Sequence, residues 1–160
     1  MKALTVSTLV CTIVVLASID ANALVYRRGT YCPSRWFRSG GRCFYYVSSY
    51  LTWVQAEKNC QSMGANLASV HSFKEHRRIR LLIARRTGGY RPTWLGASDC
   101  QKEGFWLWSD GTRFDFRYSG VFNNLNRRQH CLQMNFGAYK RWDDTECWRH
   151  LPSVCAKIAT

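Results

Sequence analysis

Apolar residues fall into a few distinct runs along this chain. Leu4 to Ala17 is almost unbroken, holding Leu9, Val10, Ile13, Val14, Val15 and Leu16 behind the single positive charge of Lys2. Ala21-Asn22-Ala23 then supplies the small-x-small spacing of a signal-peptidase site. The pattern predicts a secretory signal peptide over residues 1–23 and a mature chain over 24–160. The run is shorter than the ~20 residues a bilayer-spanning helix needs, so no transmembrane segment is expected.

Further along, the period of the pattern changes. Arg42-Cys43-Phe44-Tyr45-Tyr46-Val47 reads as an aromatic-rich strand entered through Gly40-Gly41. Thr52-Trp53-Val54-Gln55 has the form of a capping box, after which Trp53, Ala56 and Cys60 share one helical face, and Gly64 is a natural stop. Ser72-Phe73-Lys74-Glu75 repeats the capping signal. It opens a helix predicted to run to about Arg86 and to end at Gly88-Gly89. Ile79, Leu82 and Ile83 line one side of that helix; Arg77, Arg78, Arg80 and Arg85 spread over the other, with Leu81 among them. Past residue 90 the runs shorten: Trp94-Leu95-Gly96-Ala97, Phe105-Trp106-Leu107-Trp108, a turn at Ser109-Asp110-Gly111, and an alternating strand at His130–Asn135. Residues 117–130 read as a long polar loop. Two helices followed by several short strands predict a single α+β domain with a loop-rich second half, and loops on a rigid scaffold are where binding is expected.

Cysteine count and charge narrow this picture. With Cys11 inside the predicted signal peptide, seven cysteines remain in an oxidising compartment, which implies disulfides and one sulfur left over. No zinc-type ligand spacing is present. The formal net charge is +13, with 17 Arg against 6 Lys. Such a surface attracts polyanions and anionic membranes; for a secreted chain without a recognition motif the expected targets are microbial envelopes, sulfated glycans and mucus rather than nucleic acid. The basic helix face, together with Arg127, Arg128 and Arg141, is the candidate surface for that attraction, against the plainer reading of a solvated face. No nucleophile elbow, Gly-rich phosphate loop or HExxH run occurs, so an enzyme is not expected. No N-x-S/T site for N-glycosylation is present either.

Taken together, the spacing of Cys60, Cys131, Cys147 and Cys155, with Trp94-Leu95-Gly96 and Trp142-Asp143-Asp144 between them, resembles the C-type lectin-like domain. Cys32 and Cys43 match the extra N-terminal hairpin of its long form. The resemblance spans about Tyr31 to Lys157, and the tract from Trp94 to Thr112 is especially similar to the small soluble lectins and type II antifreeze proteins of fish. It implies the bridges Cys32–Cys43, Cys60–Cys155 and Cys131–Cys147, and leaves Cys100 for a disulfide-linked homodimer or a free thiol.

The resemblance also implies a calcium-and-sugar site in the long loop. Its first triplet falls on Val121-Phe122-Asn123, its isolated glutamate on Gln129, and its Trp triplet on Trp142-Asp143-Asp144. The departures are chemical. Val121 offers no side-chain oxygen, Gln129 is a neutral amide, and Phe122 replaces a proline, so a trans peptide is expected there. Asn123, Asn124, Gln129, Asp143 and Asp144 make a poor cage for an ion that wants 6–8 oxygens. Arg127, Arg128, Lys140 and Arg141 flank the two carboxylates in sequence, and a guanidinium is expected in the ion's place, paired with Asp143 or Asp144. No cofactor is expected, and calcium only on this degenerate set. The site residues are then Phe122, Asn123, Asn124, Gln129, His130, Trp142, Asp143 and Asp144, with Trp142 or Phe122 stacking on a sugar and His130 bordering the loop. The function implied is a calcium-independent lectin for glycans, galactosides or bacterial polysaccharide among them. Polyanion or protein binding without sugar, and ice binding, are the competing readings.

Overall fold

The computed structural model describes residues 31–160; the predicted signal peptide lies outside the described residues. Strand β1 (Phe37–Ser39) turns through Gly40 and Gly41, both at positive φ, into the long strand β2 (Arg42–Leu51). Helix α1 (Trp53–Ser62) starts where expected: Thr52 Oγ1 accepts from the Gln55 N–H and Gln55 Oε1 accepts from the Thr52 N–H. It ends at Met63, and Gly64 takes the left-handed conformation that favours glycine. A two-residue strand β3 (Asn66–Leu67) leads to helix α2 (Phe73–Thr87), closed by Gly88 at φ 71°.

The second capping box forms only by half. Ser72 Oγ accepts from the Glu75 N–H, but the Glu75 carboxylate does not return to Ser72. Arg42 takes one of its oxygens at 2.9 Å, and the other accepts from the His71 N–H at 2.9 Å. A cation reaching across from β2 competes for the carboxylate, which local spacing alone could not reveal.

The second half is built from β4 (Thr93–Ser98), β5 (Leu107–Trp108), β6 (Gly120–Val121), β7 (Cys131–Phe136), β8 (Arg141–Thr145) and β9 (Leu151–Ile158). The strands join in the order β1-β2-β9-β4-β7-β8-β6, with β3 beside β9 and β5 beside β4. Pairings are antiparallel except β4 with β9 and β6 with β8. The Trp94-Leu95-Gly96 run is fully buried in β4. A Cβ on Gly96 would lie 2.5 Å from the Leu67 carbonyl oxygen, so the close passage of β4 against β3 requires glycine.

The three bridges are those the resemblance implies. Cys32–Cys43 ties the start of the described chain to β2, Cys60–Cys155 ties α1 to β9, and Cys131–Cys147 ties β7 to the segment after β8. The α2 face carrying Ile79, Leu82 and Ile83 packs with Phe44, Leu95, Leu132, Met134 and Trp142. The buried carboxylate of Glu57 joins the two halves, accepting from Gln61 Nε2, Asn66 Nδ2, the Leu67 N–H and Ser109 Oγ at 2.6–2.9 Å. Four donors satisfy a charge that would otherwise be costly to bury.

Candidate functional site

The 117–130 segment contains more structure than its polarity suggests. Gly120-Val121 forms β6 beside β8, and Leu125–Arg127 makes a single 3-10 turn. A side chain at Gly120 would collide with the Trp142 carbonyl, so glycine is what lets the loop lie against β8. Asn124, Asn126 and Arg127 have φ of 41°, 58° and 55°. Asparagine tolerates that region and arginine does not, so the loop is held against its own preference.

The residues expected to hold calcium do the holding. Asp144, 2% exposed, accepts the Asn123 N–H at 3.2 Å and the Asn124 N–H at 2.6 Å, one on each carboxylate oxygen. Gln129 Oε1 accepts from the Leu125 N–H at 2.8 Å, while Asn124 Oδ1 accepts from the Gln129 N–H at 2.9 Å. Asn124 Nδ2 donates to Glu103. Asp143 serves the other side of the strand, accepting from Gln133 Nε2 at 3.0 Å. With Val121 contributing no side-chain oxygen, the set does not fit a calcium ion that needs 6–8 oxygens. Among the described residues every peptide is trans, including the one before Phe122.

No guanidinium replaces the ion. Among the described residues no ion pair reaches Asp143 or Asp144. Arg127, Arg128 and Arg141 are exposed, and Arg141 lies over the Tyr139 ring at 5.1 Å. Fixed backbone amides meet the Asp144 carboxylate without ordering a long flexible side chain.

The side chain that meets carboxylates at this end of the loop is the His130 imidazole. His130 Nδ1 lies 3.0 Å from Asp99 Oδ1 and 3.5 Å from Glu103 Oε2. Ligand atoms of these three residues fall within 4.8 Å of one another. Two carboxylates and an imidazole nitrogen suit a transition metal better than calcium. Here, however, Asp99 already accepts from the Gly104 N–H and Glu103 from Asn124, so the group is internally satisfied. Sequence reasoning placed His130 beside the loop but missed Asp99 and Glu103. The pairing of Ser98 with Cys131 between β4 and β7 is what brings them together.

Two stacking candidates are corrected. Trp142 is fully buried, with edge contacts to His76, Trp108 and Phe116, and cannot face a sugar. Phe122 is half-buried, edge-on to Trp106 and covered by the Arg117 guanidinium at 3.8 Å. Beside Asp143 two other aromatics are exposed, Tyr139 in the β7–β8 turn at 81% and Phe136 at the end of β7 at 45%. With Val121, Arg141 and Asp143 they line a cleft of about 170 Å³. Two aromatic residues in a Gly-containing turn were the available signal.

The basic helix face divides likewise. Arg77 and Arg85 are exposed, whereas Arg78 donates to Ser39 Oγ at 2.7 Å and Arg80 lies over the Tyr90 ring at 4.5 Å. Cys100 is an exposed free thiol, its Sγ 3.8 Å from that of Cys147.

Two titrations in this region oppose each other. Burial pushes the Asp143 carboxyl up to about 6, aided by Asp144 and resisted by the Gln133 hydrogen bond. Burial, with help from Arg80, drives His76 down to about 4. Between pH 6 and 4 the folded chain keeps a proton on Asp143 that the unfolded chain has released, so acidification through that range favours folding. His76 stays neutral in the folded chain while its unfolded counterpart protonates near 6.5, so the same acidification favours unfolding. Asp143→Asn removes the first effect and leaves the second. Urea midpoints from pH 7 to 4.5 are expected to fall more steeply for the variant than for the parent; parallel profiles would refute the opposition.

Comparison with known proteins places this geometry in context. The lectin C-type domain family matches residues 49–157. Ladderlectin of Oncorhynchus mykiss is 38% identical over 136 residues, covering 84% of this chain and 72% of its own. The galactose-specific lectin nattectin of Thalassophryne nattereri is 37% identical, covering 88% and 89% respectively. Among solved structures, a calcium-independent type II antifreeze protein superposes with a TM-score of 0.72 at 37% identity, covering 81% of this chain and 96% of that one. None of these matches is an enzyme.

Proposed function

The chain belongs to the C-type lectin domain family, and on that premise we propose that it is a secreted lectin that binds glycans without calcium. The observation that carries the reading is the cleft beside Asp143. It combines an exposed aromatic platform, Tyr139 and Phe136, with a hydrogen-bonding carboxyl and the Arg141 guanidinium, the mix of ring-stacking and polar groups that a sugar face requires. The internal satisfaction of Asp144, Gln129 and Asn124 supports calcium independence, because the loop is shaped by its own amides.

Nattectin, named for galactose, makes galactosides the first ligands to try. The +13 charge would strengthen attachment to anionic microbial or mucosal surfaces, in keeping with a defence role. No helix among the described residues is long and apolar enough to cross a membrane. Exposed Cys100 is the residue through which two copies would be joined, an oxidant such as oxidised glutathione accepting the two electrons and two protons released by the thiols.

Retention on immobilised galactosides, mannan and whole bacteria tests this reading, each with and without EDTA. Retention unchanged by EDTA, competed by free sugar, and reduced at least tenfold by Tyr139→Ala with an unchanged melting temperature is expected. Strict dependence on added calcium would overturn it. Retention lost in moderate salt with no sugar competition would favour polyanion binding, since exposed charges are screened over about 8–10 Å.

A further inference from the structure

Helix α2 carries a feature that the sugar cleft does not use. Phe73, His76, Arg77, Arg80, Leu81 and Tyr90 line a cavity of about 300 Å³. His76 is wholly buried, and its Nδ1 accepts from the Trp142 indole N–H at 3.1 Å. Accepting at Nδ1 places the proton of a neutral imidazole on Nε2. Burial, the cause that lowers the His76 pKa to about 4, keeps the ring neutral at physiological pH.

Among the described residues His76 Nε2–H has no acceptor, and neither has Nε–H of Arg80, one helical turn later. Burying a donor without a partner is costly, because its lost hydration is not replaced. Two on one helix face, in the wall of one cavity with no acidic residue in its lining, call for a ligand that only accepts. Arg77 and Arg80 supply positive charge, and Phe73, Leu81 and Tyr90 supply an apolar wall.

We propose that this cavity binds an oxyanion, the sulfate or carboxylate group of a glycan, with the His76 Nε2–H and Arg80 Nε–H donating to its oxygens. Both nitrogens are covered, so the anion reaches them by a side-chain shift of Arg80 along the exposed Tyr90 ring, on which its guanidinium lies at 4.5 Å. The attached sugar ring then lies against Phe73, Leu81 and Tyr90. This site, on α2 and beside Tyr90, shares no lining residue with the Tyr139 cleft and does not rest on the galactoside reading.

The test uses the secreted full chain with sodium sulfate and N-acetylneuraminate, each against sodium chloride at equal ionic strength. Thermal shift and the nitrogen resonance of His76 Nε2 are the readouts. At least one anion is expected to raise the melting temperature and move that resonance. Arg80→Met should weaken the effect at least tenfold and Arg77→Gln two- to fivefold. Arg85→Met removes the same charge outside the cavity and should leave the effect intact. A response to sulfate alone identifies sulfate esters as the source, and a response to N-acetylneuraminate alone identifies a carboxylated sugar. Melting in chloride shows whether each variant is folded; should Arg80→Met fail to fold, the Arg77→Gln and Arg85→Met pair decides. No response beyond chloride, or an equal loss in Arg85→Met, overturns the proposal. Galactoside retention by Arg77→Gln should be unchanged, which separates failure here from failure of the cleft reading.

Discussion

Replacing Trp142 by alanine is expected to destabilise the domain by about 3–5 kcal/mol, the usual cost of removing a buried tryptophan. The indole is fully buried and meets His76, Trp108, Phe116 and Tyr118 at ring separations of 5.8–6.2 Å. Among the described residues its N–H is the only donor to His76 Nδ1, so truncation also leaves a buried acceptor unmet. Trp142→Phe separates the two contributions: it keeps most of the ring and still loses that hydrogen bond, at roughly 1–3 kcal/mol. For a domain of this size the alanine variant should melt roughly 10–20 °C lower, with its near-ultraviolet dichroism altered throughout. A loss below about 1 kcal/mol in chemical denaturation would show that Trp142 is not the core residue described. The contrast with Tyr139→Ala matters for function. One variant should lose the fold and binding together, the other binding alone.

Trp142 also shows how far the sequence was legible. Its motif was readable because cysteine spacing and Trp-Asp-Asp are strong local patterns, and the three bridges and the helix ends followed. The direction of each side chain was not. The alternation in β8 puts Trp142 inward at a position a sugar-stacking reading would have placed outward. The half-formed capping box has the same origin: Glu75 obeys Arg42, thirty-three positions away, rather than its neighbour Ser72. Register decides such contacts, and register is set by tertiary packing.

The 117–130 loop shows the same gap between sequence and tertiary contact. A carboxylate near a cluster of arginines invites an ion pair on paper. Asp144 instead accepts two backbone amides, one of them from Asn124 in the left-handed region, an arrangement no composition rule foretells. Near the loop, Asp99 and Glu103 lie instead against the His130 ring, far from them in sequence and brought close by the pairing of β4 and β7. The exposed Phe136 and Tyr139 were visible in the sequence throughout, but only an account of what is buried gives them meaning.

The largest covalent effect is expected from the Cys60–Cys155 bridge. It spans 95 residues, against 11 for Cys32–Cys43 and 16 for Cys131–Cys147. In the chain-entropy account, closing a loop near 100 residues contributes about 4.7 kcal/mol and one near 15 residues about 3 kcal/mol. Cys60 and Cys155 are both fully buried, beside Ala56, Leu67 and Trp94, so paired alanine substitutions also thin that part of the core. The bridge joins α1 to β9, the strand that touches β2, β3 and β4 together, so its loss loosens the centre of the sheet rather than an edge. Total stabilities of small domains are only about 5–15 kcal/mol. Cys60→Ala with Cys155→Ala should therefore remove a large share of it, and more than Cys32→Ala with Cys43→Ala, which unties only the hairpin at one end of the sheet. Denaturation of the two double variants side by side measures the gap. Equal losses would mean that neither loop length nor place in the sheet governs these bridges.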